Sequence, residues 1–101
     1  MNIRLRTGKW KVRFKKMRKD DGRCIYAERK IIIDPRVRGK KAMEIWIHEL
    51  LHACLPDLDE AAIDPTAENV VDVLWKQGYR PKGDGRGKRW FGAGIDRGTS
   101  Q

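Results

Sequence analysis

The apolar residues of this chain change their period near residue 40. Before that point they alternate. In "KWKVRFKK", residues 9–16, Trp10, Val12 and Phe14 fall on one side, and Lys9, Lys11, Arg13 and Lys15 on the other. A period of two is the pattern of a half-buried strand. After that point they recur at intervals of three and four: Met43, Ile47, Leu50, Leu51, Cys54 and Leu55. That spacing builds a helix with one broad apolar face. A chain that alternates first and turns helical afterwards folds as α+β, a small sheet with helices on one face.

Punctuation divides the rest. "RKDDG", residues 18–22, is a turn signal, and "RCIYAE" and "RKIIID" read as two further strands. Pro35 ends the last of these, and Gly39 in the following loop is free to take positive φ. The expected sheet has three strands. Pro56 stops the first helix. "PDLDEAAID" leads to a second, with Asp64 as N-cap, Pro65 in the first helical position and Gly78 at the end. Its buried stripe is expected to be Ala67, Val70, Val71 and Leu74, with Trp46, Trp75 and Tyr79 packing between elements. Residues 1–79 therefore form one domain with a modest core. Residues 80–101, "RPKGDGRGKRWFGAGIDRGTSQ", are rich in Gly and Arg without periodicity, and read as a flexible basic C-terminal tail.

Charge is unevenly placed. Residues 1–41 carry 16 Lys and Arg against 4 Asp and Glu, residues 42–77 carry 1 against 8, and residues 78–101 carry 6 against 2. Basic flanks on a chain of net charge +9 favour anionic partners, and weak non-specific nucleic-acid contact is an expectation. Two cysteines, Cys24 and Cys54, make no disulfide framework and are read as free thiols. No run is apolar enough to span a bilayer, and no apolar leader opens the chain. A cytoplasmic protein without a membrane partner is the expectation.

The acidic segment holds both histidines, in "EIWIHELLHACL", residues 44–55. His48 and His52 are four apart, so on a helix they share a face and can aim ring nitrogens at one point. Zn²⁺ takes nitrogens at about 2.0–2.1 Å in a tetrahedral shell, and this spacing supplies two corners. Glu49 is turned about 100° from His48, too far to ligate easily, yet placed to reach a water in an open position. Metal lowers the pKa of that water, and Glu49 takes its proton as it attacks a carbonyl.

A third ligand must come from the acids that follow: Asp59, Glu60, Asp64, Glu68 or Asp72. In an antiparallel hairpin of helices, Glu68 reaches the height of His52 and Asp72 that of His48. Glu68 is then the favoured ligand, and Asp72 accepts the other ring N–H of His48. If the second helix starts earlier or is rotated, Asp64 or Glu60 becomes the ligand.

These residues resemble the zincin metallopeptidases. From Gly22 to Tyr79, "GRCIYAERKIIIDPRV" followed by "IWIHELLHA" looks like the small zincins of the SprT-like and ImmA/IrrE-like groups. The resemblance implies that His48 and His52 bind zinc and that Glu49 is catalytic. "ENVVD" is similar to the E-x-x-x-D pattern of gluzincins, which implies Glu68 as ligand and Asp72 as the group that orients a histidine. It also implies an extended peptide on the edge of the strand before the helix, near Ile31 to Ile33, and a bacterial or phage source. The chain departs from the pattern in having no third histidine, no glycine after His52 at the metzincin spacing, and a short interval from His52 to Glu68.

Two functions of different kinds follow. One is a zinc-dependent peptidase acting on a peptide or protein substrate, with Glu49 as general base. The other is a non-catalytic zinc-stabilised module that contacts nucleic acid or a protein through its basic flanks.

Overall fold

The computed structural model describes residues 1–81. The elements run β1 (Asn2–Leu5), β2 (Gly8–Phe14), β3 (Gly22–Ile25), a 3₁₀ turn at Tyr26–Glu28, β4 (Lys30–Ile33), α1 (Gly39–Cys54) and α2 (Glu60–Lys76). The class is α+β, as the change of period requires. The sheet has four strands rather than three, in the order β1-β2-β4-β3. The added strand, β1, is a hairpin partner of β2, in register Ile3 to Trp10.

β4 runs parallel to β2 and antiparallel to β3, with Ile31 opposite both Val12 and Cys24. Both sides of β4 are therefore occupied. The expected substrate edge at Ile31 to Ile33 is corrected by this pairing: the free edges of the sheet belong to β1 and β3.

One face of the sheet carries the core, formed by Trp10, Val12, Ile31, Ile33 and Ala53 of α1. Phe14 continues the inward parity but lies past the helix and is half exposed, packed at 6.0 Å on the ring of Trp46. α2 docks on α1 through Ile63, Ala67 and Val71, a stripe at every fourth residue. Burying Ile63 and Val71 stabilises that docking by about 1.5–3 kcal/mol each. Val70, expected in the stripe, is exposed.

α2 begins at Glu60, five residues before Pro65. Asp59 is the N-cap, and its side chain accepts the N–H of Ala62 at 3.1 Å. Pro65 thus sits inside the helix, where its missing N–H and ring are costly. The cap and the burial of Ile63 in the first turn offset that cost. At the other end Gly78, at φ +94°, forms the left-handed cap, with Gly78 N–H donating to the Trp75 carbonyl and Tyr79 N–H to that of Leu74. The Arg80 guanidinium then lies 3.6 Å over the Trp75 ring. Of the tail expected over residues 80–101, residues 82–101 lie outside the described residues.

The β1–β2 turn reaches across to the end of α1. Thr7 Oγ1 donates to the Ala53 carbonyl at 2.7 Å, and Arg6 Nη1 to that of Cys54 at 2.8 Å. Trp10 Nε1 in turn donates to Thr7 Oγ1. These bonds satisfy carbonyls that the last turn of a helix leaves open. They also fix where the histidine-bearing turns of α1 stand against the sheet. Among the described residues no helix is long and apolar enough to cross a membrane.

Candidate metal centre

His48 and His52 stand one turn apart on the flank of α1, beside the inward-facing Ala53. Their Nε2 atoms are 3.1 Å apart. The first turn of α2 brings Glu60 across from them, with Oε1 at 3.3 Å from His48 Nε2 and Oε2 at 3.0 Å from His52 Nε2. These three residues form a group that could hold a metal ion. A tetrahedral shell with bonds of 2.0–2.1 Å has corners about 3.3–3.4 Å apart, close to the spacings seen here. Two imidazoles and one carboxylate are also a donor set of catalytic zinc sites. The residues fit the ion.

The other ring nitrogens are placed to orient both histidines. His48 Nδ1 stands 3.2 Å from Asp64 Oδ1. Tyr26, in the 3₁₀ turn, donates its hydroxyl to the His52 carbonyl at 2.9 Å and lies 3.5 Å from His52 Nδ1. A hydrogen on each Nδ1 leaves each Nε2 as a lone pair facing the group, the tautomer that a ligand requires.

Glu49, next to His48 along α1, packs against Gly22 of β3 and lies close enough to His48, His52 and Glu60 to feel their charges. It is 7% exposed. A Cβ on Gly22 would stand 3.1 Å from its Oε2 and 2.7 Å from Ile45 Cγ2, so a glycine here lets α1 approach the strand. Among the described residues the Glu49 carboxylate has no hydrogen-bond or ion-pair partner. Burial pushes its pKa up against the pull of His48 and His52. The neighbouring Cys24 thiol is pushed up to about 11 by burial and by Glu49, and remains outside the metal group.

The helix register decides the acids. Glu68 is exposed and is not part of the group. Asp72 is held by Lys40 Nζ at 2.7 Å, not by His48. Both assignments assumed a helix beginning at Pro65. With the helix beginning at Glu60, the first turn faces the histidines, and Glu60 and Asp64 take the places expected of Glu68 and Asp72. Asp59 serves as cap. Tyr26 was not singled out from the sequence, since it lies past the end of a strand where nothing in the pattern aims it at α1. Comparison of the chain with family models, with curated proteins and with solved structures returns no significant match.

Proposed function

We propose that the chain is a zinc-dependent peptidase of zincin type, with His48, His52 and Glu60 as ligands and Glu49 as general base. One observation carries this reading: a nearly buried carboxylate without a partner, on the residue that follows a ligand histidine. An unpartnered buried carboxylate is costly to a fold. A purely structural metal site has no use for one.

Bound Zn²⁺ supplies a Lewis acid that brings the ionisation of water close to neutral pH. The rest of the work falls to the chain. Glu49 takes a proton from the attacking water and hands it to the departing amine. Asp64 and Tyr26 hold the imidazoles in their ligating tautomer. An extended peptide adds along the free edge of β3, Gly22–Ile25, beside Glu49.

The test is metal content together with hydrolysis. Protein purified without added metal carries about one zinc per chain, and His52→Ala loses it. Glu49→Gln keeps the zinc but no longer cleaves a peptide library read by mass spectrometry, with chelator as control. Equal cleavage by wild type and Glu49→Gln overturns the role of Glu49. A zinc-loaded chain that cleaves nothing favours the non-catalytic module instead.

A further inference from the structure

The face of the sheet turned away from α1 is cationic. Trp10 and Val12 of β2 point into the core, so Lys9, Lys11 and Arg13 point outward. Register adds to them. Arg4 of β1 stands opposite Lys9, Lys30 of β4 opposite Lys11, and Arg23 of β3 shares a row with Arg13 through Ile32. A groove of about 730 Å³ is lined by Arg4, Lys9, Lys11, Arg13, Arg29 and Lys30, with Glu28 its single carboxylate.

Most of this charge is uncompensated. Glu28 pairs with Lys30 at 2.9 Å and Asp20 with Arg23 at 2.9 Å. Among the described residues no carboxylate pairs with Arg4, Lys9, Lys11, Arg13 or Arg29. Lys11 stands opposite Lys30 in the parallel β2–β4 pair, and only Lys30 of the two has a carboxylate partner, Glu28. Arg29, at φ +49°, is the left-handed C-cap of the 3₁₀ turn, its N–H donating to the Tyr26 carbonyl, and its guanidinium lies against Gly8. A non-glycine residue in that region carries a conformational cost.

We infer that this face binds the phosphate backbone of double-stranded DNA. Outward neighbours along a strand stand about 6.7 Å apart and strands about 4.8 Å, so four strands span about 14 Å. That length of duplex holds about eight phosphate charges. Side chains that only donate, in rows, suit phosphate oxygens. No outward strand residue on this face is aromatic, which leaves no platform for stacking unpaired bases. Its outward apolar residues, Ile25 and Ile32, are only partly exposed, and none of the exposed large apolar residues occupies an outward strand position, which leaves little to enter a lipid surface. The metal centre lies on the other side of the sheet, so this inference does not depend on the peptidase reading.

The experiment is an anisotropy titration of the full chain against a short labelled duplex at several salt concentrations. The expected result is binding in dilute salt with a slope of about −3 to −4 in log K against log salt, since about 0.9 is contributed per phosphate neutralised. Lys9→Ala/Lys11→Ala/Arg13→Ala loses about tenfold in affinity and brings the slope about 3 closer to zero. Lys16→Ala/Arg18→Ala/Lys19→Ala removes the same charge from the β2–β3 loop and loses less than about threefold. If the first triple variant is poorly folded, Lys11→Gln alone brings the slope about 1 closer to zero. It also melts no lower than wild type, because Lys11 is exposed and its side chain has no ion-pair partner among the described residues. Three outcomes overturn the inference: no binding in dilute salt, equal losses in the two triple variants, or tighter binding to single strands or anionic vesicles.

Discussion

His48 Nδ1 stands 3.2 Å from a carboxylate oxygen of Asp64, whereas Asp72, two turns further along α2, is 2.7 Å from Lys40. The histidines therefore face the beginning of α2, and the ligand order follows. Glu60→Ala should weaken zinc binding by more than about 100-fold, beyond the usual loss of an outer partner. Glu68→Ala should leave it unchanged. Competition with a chromogenic chelator measures both. A loss at Glu68 equal to that at Glu60 would place the wrong turn of α2 opposite the histidines.

Asp64 stands beside the His48 ring and outside the group that could hold the ion. Asp64→Asn should lower zinc affinity by about 10–100-fold. Asp72→Asn breaks an exposed ion pair with Lys40 and should change neither affinity nor melting temperature measurably. The same chelator titration separates the two, and an Asp64→Asn variant with wild-type affinity removes Asp64 from the site.

Gly22 controls how Glu49 sits. In Gly22→Ala the new Cβ meets Ile45 Cγ2 at 2.7 Å and Glu49 Oε2 at 3.1 Å. Glu49 must shift by tenths of an ångström, whereas the new Cβ meets no atom of His48, His52 or Glu60 among its nearest neighbours. Hydrolysis should fall by about 10–100-fold, the scale of a small misplacement of a reacting group. Zinc content should remain about one per chain. Unchanged turnover in Gly22→Ala would show that the strand does not position the carboxylate.

Asp34 predicts a pH dependence of stability. It is buried after β4, where it accepts bonds from the Arg36 guanidinium and from the backbone N–H groups of Arg36 and Met17. These bonds hold its carboxyl well below the ordinary value of 3.8. A pKa depressed by folding stabilises the native state fully above the unfolded value, and that contribution fades as pH falls toward the folded one. Asp34→Asn should therefore melt several degrees lower than wild type at neutral pH. The gap should hold down to about pH 5 and narrow in stronger acid. A gap that stays constant down to pH 2 would mean that the ionised form contributes nothing.

How much of this was legible follows from the kind of signal each element leaves. β2 and α1 are long enough for period to show, and with them came the α+β order, His48, Glu49 and His52. β1 is four residues with two apolar positions, Ile3 and Leu5, too few to stand out among arginines. Its place is set by pairing with β2 and by the bonds of Arg6 and Thr7 to α1, which are tertiary. The start of α2 was obscured by Pro65, whose ordinary position in a helix is the first. The stronger signals were Asp59 as cap and the fourfold spacing of Ile63, Ala67 and Val71. Placing that start five residues late puts Glu68 where the structure has Glu60 in the group that could hold a metal. That β4 lies inside the sheet depends on its parallel pairing with β2, and local pattern carries no trace of such pairing.

The two donor helices of the metal group meet on a narrow seam, Ile63, Ala67 and Val71 against α1. An ion shared by His48, His52 and Glu60 is a rivet across that seam. Native stability then follows the supply of free metal, rising about 1.4 kcal/mol for each tenfold excess over the dissociation constant. With the site empty, the first turn of α2 would loosen ahead of the sheet, which keeps its own core. On the proposed metal binding, an empty chain would then be cut in that segment by proteases sooner than a loaded one.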